Sequence, residues 1–250
     1  MIGYAALLLP AAILLHFRTG LLKKLGTAAL RMTVQLLLVG YYLEYLFTYD
    51  NPWLNLAWIV VMVVASDLAT VDRSELRRKS LFVSVFAATF LGLILVDFFF
   101  LEVVIRLPHL LAARYTIPIT GMILGNCLRS NVIGINTFYY GLKERRDEYH
   151  YYLACGASRK EALFPFFREA LRKSVNPTLA TMATIGLVSL PGMMTGQILG
   201  GSSPMTAIQY QILIVIAIIS GTVLAVFLAI RLSMLSAFDE ADLLDEDIFK

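Results

Sequence analysis

Seven apolar segments, separated by short polar ones, decide what this chain can fold into. A helix of about 20 apolar residues crosses the hydrocarbon core of a bilayer, which is roughly 30 Å thick. Hydrophobic residues make up 58% of the chain and charged ones only 16%, which leaves too much apolar surface for a water-soluble domain. We therefore predict an all-α membrane bundle with about seven transmembrane helices. The predicted segments are Ile2–Leu15, Leu30–Phe47, Trp53–Val71, Leu81–Ile105, Ile117–Tyr139, Thr178–Leu199 and Ile208–Leu232.

The first of these segments is short and contains Pro10. A signal peptide has an apolar stretch of similar length, preceded by basic residues. Because no basic residue precedes this segment, we expect that it is retained as the first span.

Basic residues concentrate in alternate loops. Lys and Arg number four in His16–Arg31, four in Asp72–Ser80 and eight in Tyr140–Asn176. Such loops stay in the cytoplasm, so we predict a multi-pass protein of the inner (plasma) membrane, with its amino terminus outside and its carboxyl terminus inside. The net charge of +3 is spread over these loops and fits this topology better than binding to nucleic acid.

The chain is predicted to have two parts. Residues 1–236 form a transmembrane domain that includes a cytoplasmic region at 140–176, and residues 237–250 form an acidic cytoplasmic tail. The tail carries six carboxylates, which are solvated or contact a basic partner. Cys127 falls in a span and Cys155 in the cytoplasmic region, so no disulfide is expected.

The cytoplasmic region has the local chemistry of a helix, a corner and a second helix. Lys143–Cys155 is predicted to form one helix, which Gly156 ends by adopting a left-handed conformation. Ser158 and Glu161 have the spacing of a capping box that starts the next helix. We interpret this corner as a docking element for another protein. A basic amphipathic loop anchored to lipid is the alternative.

The second helix of this region is predicted to be amphipathic and to lie along the inner leaflet. Asn176 and Pro177 then have the sequence of a cap and a first position, which predicts the start of a new span there. The apolar face consists of Leu163, Phe166, Phe167, Ala170 and Leu171.

A Gly-x-x-x-Gly pattern followed by an amide occurs twice, ending at Asn126 and at Gln197. Glycines four residues apart allow helices to approach closely. We predict that the two segments pack antiparallel and that both amides face a translocation pathway. Helix packing alone, with the amides bonded across the interface, is the alternative.

Ionisable groups inside spans are costly, so they usually have partners or water. Asp67 and Arg129 reach comparable depths in their spans, and we predict that they pair, either as a structural contact or as part of a gate. Gln35 is the remaining polar candidate for the pathway. Near the outer ends of spans, Glu44, Asp97 and Glu102 line a cation exit or are merely hydrated.

The sequence shows no cage for a metal ion. No histidine lies within a predicted span, and no Cys or His pair has the spacing of metal ligands. Met193 and Met194, with Met122, offer thioethers that suit Cu(I) better than iron, although methionine is also an ordinary packing residue. The metal ligands are therefore unknown.

Several motifs resemble one family of transporter subunits. Leu153-Ala-Cys-Gly-Ala-Ser-Arg-Lys-Glu-Ala162 is similar to the cytoplasmic coupling motif of ABC-transporter permeases, although Cys155 stands where leucine is usual. The FetB family comprises bacterial permeases proposed to export iron and the membrane subunits of plant aluminium-tolerance transporters. The motifs that resemble this family are Ile117-Pro-Ile-Thr-Gly-Met-Ile-Leu-Gly-Asn126, Gly186-Leu-Val-Ser-Leu-Pro-Gly-Met-Met-Thr-Gly196, Arg31-Met-Thr-Val-Gln-Leu36 and Ala207-Ile-Gln-Tyr-Gln-Ile212.

The resemblance implies the permease subunit of an ABC transporter that exports a metal ion, with iron suspected. Two copies of the chain would pair with two copies of a separate ATPase, which would hold the ATP and Mg. This chain would be no enzyme itself, and it contains no Gly-x-x-x-x-Gly-Lys-Ser/Thr phosphate loop. The residues implied in coupling are Glu148, Gly156, Ala157, Ser158, Arg159 and Lys160, of which Arg159 and Lys160 are alternatively a solvated face.

Two other classes of protein share some of these features. A secondary transporter driven by an ion gradient also uses interrupted helices and intramembrane charge, but it has no need of the cytoplasmic corner. An intramembrane enzyme needs a nucleophile and a base, and Ser189 has no histidine within a span as its partner. The secondary transporter is therefore the main alternative.

Overall fold

The computed structural model describes residues 2–74, 76–106, 111–238, 243–245 and 248–249, without the side chains of residues 2 and 78–80. The described residues form helices, together with three isolated bridge pairs and no named strand. The predicted all-α class is thus confirmed for this part of the chain. The helices are α1 (Leu8–His16, preceded by a 3-10 helix at Ile2–Leu7), α2 (Leu22–Tyr49), α3 (Pro52–Arg73), α4 (Arg78–Phe98, continued by a π-helix at Phe99–Ile105), α5 (Ala113–Glu144), α6 (Arg146–Ala154), α7 (Arg159–Thr184), α8 (Gly192–Leu199) and α9 (Pro204–Ala237).

The first compact unit spans residues 1–51. Its two α-helices pack on each other, and the hydroxyl of Tyr4 bonds to that of Thr33 on α2. The helical run Gly3–His16 is apolar but shorter than the roughly 20 residues that a bilayer requires. Helix α2 ends at Asp50, which adopts a left-handed conformation with φ of +38°.

The second unit spans residues 52–250, and its long helices α3, α4, α5, α7 and α9 pack into a bundle. Two glycines allow α5 and α9 to approach closely. A methyl group at Gly221 of α9 would lie 2.7 Å from Cγ2 of Ile123, and one at Gly134 of α5 would lie 2.7 Å from Val226. These contacts, rather than the two predicted Gly-x-x-x-Gly patterns, mark the closest helix packing.

Three helical stretches within the described residues are long and apolar enough to cross a membrane: Pro52–Arg73, Leu81–Ile105 and Pro204–Ala237. They contain the third, fourth and seventh predicted spans. The second and fifth predicted spans lie inside the single helices α2 and α5.

The sixth predicted span, Thr178–Leu199, is not one helix. Helix α7 ends at Thr184, the chain turns at Gly186, whose φ is +88°, and α8 begins at Gly192 after Pro191. The N–H of Gly186 bonds to the carbonyl of Ser189 over 2.9 Å, which closes the turn. Glycine adopts this backbone conformation without strain, so the segment is interrupted.

The predicted start of a helix at Pro177 is also wrong. Helix α7 runs through both Pro165 and Pro177 from its cap at Ser158. A proline inside a helix removes one backbone hydrogen bond and bends the helix, and here the helix continues beyond each of them. Its buried face packs in a core cluster with α5 and α9, whereas we predicted that this face lies along the leaflet.

The described part of the predicted tail packs against the end of the bundle that holds Arg77 and Tyr140. Ile248 and Phe249 are buried, and the Ile248 carbonyl accepts a hydrogen bond from the N–H of Arg77 over 2.8 Å. The Phe249 ring lies 5.5 Å from that of Tyr140 and 4.4 Å from Nζ of Lys143. Asp245 is exposed, and the other five carboxylates lie outside the described residues, so the tail as a separate acidic part stays a prediction.

Candidate functional site

The corner between α6 and α7 has the predicted geometry. Gly156 adopts φ of +87°, and its N–H bonds to the carbonyl of Leu153 over 2.9 Å. The side chain of Ser158 accepts a hydrogen bond from the N–H of Glu161, while the Glu161 carboxylate accepts one from the N–H of Ser158 over 2.8 Å. The hydrogen bonds from Ser158 also lower the pKa of Glu161. The predicted helix end at Gly156 and the capping box are both confirmed, but the predicted single helix Lys143–Cys155 is wrong, because α5 ends at Glu144 and α6 begins at Arg146.

The residues of the corner are open to contact. Gly156, Ser158 and Lys160 are exposed, and Ala157 is partly exposed. Arg159, in contrast, stacks on the ring of Phe238 with 5.2 Å between its guanidinium carbon and the ring centre. Glu148 lies further from the corner, on α6, where it accepts a hydrogen bond from the hydroxyl of Tyr152. That hydrogen bond raises the pKa of Tyr152.

The corner is fixed to the bundle from both sides. On α7, Leu163 and Phe166 are almost fully buried. On the α6 side, the guanidinium of Arg145 packs over the Phe166 ring at 4.5 Å and donates a hydrogen bond to Glu169. The corner is thus joined through α7 to α5 and α9, which pack on α7.

A cavity of about 410 Å³ lies among α5, α7, α9 and the turn before α8. It brings together the predicted pathway residues Asn126, Arg129 and Met193. Met194 lines a neighbouring cavity of about 440 Å³. The turn at residues 185–191 contributes Ser189 and Pro191 to the first cavity. Irregular backbone of this kind is tolerated at membrane depth where it is buried in protein or lines a cavity.

Gln211 of α9 lines both cavities and is only 8% exposed. Gln211 was not among the predicted pathway residues. Its signal in the sequence is an amide near the start of a mostly apolar helix, two residues after the exposed Gln209.

The remaining predicted pathway residues lie elsewhere. Gln197 lines neither of these two cavities, and its buried Oε1 has no hydrogen-bond partner. Gln35 is exposed on α2, within the first unit. The two Gly-x-x-x-Gly patterns do not pack on each other as predicted, because a methyl group at Gly125, Gly192 or Gly196 would meet no atom within 4 Å and one at Gly121 would meet Met62 of α3. The interruption before α8 explains this difference.

The predicted pair of Asp67 and Arg129 does not form. Asp67 is fully buried and accepts a hydrogen bond from the hydroxyl of Thr89 over 2.9 Å, whereas Arg129 is exposed and lines the first cavity. Of the outer carboxylates, Asp97 is buried and accepts a hydrogen bond from Thr120 over 2.6 Å. Glu44 and Glu102 are exposed.

Comparison with known proteins gives one family. Residues 1–238 match the uncharacterised protein family UPF0014. The chain is 37% identical over 224 residues to the UPF0014 membrane protein slr1647 of Synechocystis sp. The aligned residues cover 87% of this chain and 85% of that protein.

Two further relatives carry functional names. The probable iron export permease protein FetB of Escherichia coli is 32% identical over 206 residues, 80% of this chain and 78% of that protein. The protein ALUMINUM SENSITIVE 3 of Arabidopsis thaliana is 30% identical over 222 residues, 88% of this chain and 79% of that protein. No solved structure matches the chain.

Proposed function

The chain belongs to the UPF0014 family of membrane proteins, and we propose from that membership that it is the permease subunit of an ABC transporter that exports a metal ion. The resemblance to FetB permeases is confirmed by the relative from Escherichia coli. The exposed corner at Gly156, fixed by its capping box and joined to the bundle, is the observation that carries the proposal.

In this proposal, the corner enters a cleft of a separate ATPase subunit. Gly156, Ala157, Ser158 and Lys160 make the contact, because they are the exposed or partly exposed residues there. Arg159 and Glu148 act less directly, since Arg159 stacks on Phe238 and Glu148 bonds to Tyr152. ATP and Mg are held by the partner, and this chain has no ATPase site of its own. Two copies of each subunit form the transporter.

The proposed topology has seven spans in the inner (plasma) membrane, with the amino terminus outside. Three spans have the length and hydropathy of transmembrane helices. The sixth crossing is a broken helix, formed by the end of α7, the turn at 185–191 and α8. The basic residues of the cytoplasmic region support this orientation.

The pathway in this proposal passes the cavity of about 410 Å³. Asn126, Gln211 and Ser189 supply polar groups there, and Met193 supplies a thioether. The cargo is a metal ion, with iron suggested by the name of the Escherichia coli relative. Gln35, Asp67 and Gln197 stay predictions for the pathway, and the metal ligands are not assigned.

The test is ATP hydrolysis by the cognate ATPase, reconstituted with this chain in lipid vesicles, while Fe²⁺ and other metal ions are titrated. We expect one metal ion to stimulate hydrolysis. Gly156→Pro should abolish the stimulation because proline cannot adopt a positive φ.

Gly201→Pro is the matched control for that variant. Gly201 also has a positive φ, of +94°, and its N–H bonds to the carbonyl three residues earlier, but it lies between α8 and α9. Equal stimulation with both variants would contradict the proposed role of the corner. If no metal ion stimulates ATP hydrolysis by the wild-type complex, the proposed function is contradicted.

A further inference from the structure

A polar cluster lies inside the bundle, apart from both cavities. Asp67 of α3, Thr89 of α4 and Asn131 of α5 are each at most 1% exposed. The Thr89 hydroxyl donates to Oδ1 of Asp67 over 2.9 Å and accepts from Nδ2 of Asn131 over 3.3 Å. One threonine thus links a buried carboxyl group to a buried amide.

Two oxygen atoms in this cluster lack partners. Oδ2 of Asp67 and Oδ1 of Asn131 are buried and have no hydrogen bond within the described residues. Both atoms are acceptors if Asp67 is ionised, so they cannot satisfy each other. An isolated carboxylate in an apolar interior costs many kcal/mol, and such a group takes up a proton instead. Protonation would turn one of these acceptors into a donor.

No described cation offsets the charge of Asp67. Helices α4 and α5 pack against α3. Cys127 of α5 lies within electrostatic range of Asp67, and it is not a cation. Asp97 of α4 bonds to Thr120 of α5 instead. Arg129 of α5 is exposed and lines the first cavity instead.

The surroundings suit a proton better than a metal ion. A metal ion needs several ligands at about 2.0–2.6 Å, and no group of three His, Cys, Asp or Glu side chains occurs among the described residues.

We propose that Asp67 is a proton-binding site within the membrane bundle. In this conformation the carboxyl group carries a proton, which removes the unpaired charge from the buried Oδ2. Loss of the proton would leave an unpaired charge among α3, α4 and α5, so proton release accompanies separation of these helices. Buried carboxyl groups in membrane proteins commonly act in proton relays. This ligand is distinct from the metal cargo of the proposed function.

Infrared spectroscopy of the full chain in lipid nanodiscs tests the proposal directly. We expect a carbonyl band of a protonated carboxyl group at neutral pH, and we expect Asp67→Asn to remove part of it. Asparagine keeps an acceptor for Thr89 and gains a donor, so the variant should fold. Asp97→Asn shows how much of the band comes from the second buried carboxyl group, that of Asp97. Glu44→Gln, at an exposed position, is the control that should leave the band unchanged.

The pH dependence of thermal unfolding is the second measurement. A group that holds a proton only in the folded state makes the protein less stable as pH rises. The midpoint temperature of wild-type unfolding should therefore decrease as the pH rises from about 5 to about 8. In Asp67→Asn this decrease should be smaller. An unchanged infrared band in Asp67→Asn, or equal pH dependence of both proteins, would overturn the proposal. Neither measurement involves the ATPase, so each can fail independently of the proposed function.

Discussion

Arg145, between α5 and α6, donates a hydrogen bond over 2.7 Å to Glu169 of α7. Glu169 also pairs with Lys173 at 2.8 Å. The link joins the two sides of the corner to each other, in addition to the packing of Phe166 under the Arg145 guanidinium. The segment before α6 is therefore joined to α7 through both polar and apolar contacts.

This link predicts a pH effect on the corner. The hydrogen bond from Lys173, helped by the charge of Arg145, lowers the pKa of Glu169. A lowered pKa contributes stability above the ordinary value of 4.5, and that stability is lost as pH falls through the folded-state pKa. Because the pair is well exposed, Glu169→Gln should cost only about 0–1 kcal/mol. The free energies of unfolding of the wild type and Glu169→Gln, measured between about pH 3 and pH 7, test this prediction.

Glu144→Gln is the matched control, since Glu144 is an exposed carboxylate at the end of α5. In this variant, the free energy of unfolding should depend on pH in the acidic range as it does in the wild type. If Glu169→Gln and Glu144→Gln give the same profile, the link through Arg145 does not contribute to the stability of the corner.

The contact between α5 and α9 predicts a packing effect. Gly221→Ala places a methyl group 2.7 Å from Cγ2 of Ile123, and overpacking of this kind costs about 1–3 kcal/mol. The midpoint of thermal unfolding in detergent should fall accordingly. Gly125→Ala, where the added methyl group meets open space, should leave the midpoint nearly unchanged.

An Ile123→Ala background checks the cause of that loss. Removal of Cγ2 makes room for the methyl group, so the cost of Gly221→Ala should be smaller in this background. An equal cost in both backgrounds would show that the contact with Ile123 is not responsible.

The cavity residues predict an effect on transport. Gln211→Leu and Asn126→Leu each remove a polar group from the cavity wall. A lost hydrogen bond of about 1.4 kcal/mol weakens apparent affinity roughly tenfold, so half-maximal stimulation should require about ten times more metal ion. Gln209→Leu, on the exposed side of α9, is the control. Equal shifts in Gln211→Leu and Gln209→Leu would contradict a pathway through this cavity.

The sequence was most informative where the chemistry is local. Gly156, Ser158 and Glu161 lie within six residues, and each acts on its neighbours, so the corner could be predicted correctly. The break at Gly186 was missed because it lies within an apolar run, where hydropathy alone predicts a continuous helix. Proline was misleading at Pro177, since packing against α5 and α9 outweighs one lost hydrogen bond.

Contacts between distant residues could not be predicted. Asp67 bonds to Thr89, 22 residues away, and depth in the spans suggested Arg129 instead. The glycines with the closest contacts, Gly134 and Gly221, belong to no repeated pattern, whereas in the two conspicuous patterns only Gly121 has a neighbour within 4 Å. The packing of Phe249 on Tyr140 was hidden by the acidic residues around it. Tertiary neighbours, not spacing, decide these contacts.

The most direct test of the central claim uses a native thiol. Cys155 is exposed next to Gly156, whereas Cys127 is buried, so a membrane-impermeant maleimide should label Cys155 alone. We predict labelling from the cytoplasmic side only, and protection when the cognate ATPase subunit binds. Cys155→Ser should remove the label. Labelling from the outer side, or full labelling of the complex with bound ATPase, would contradict the account.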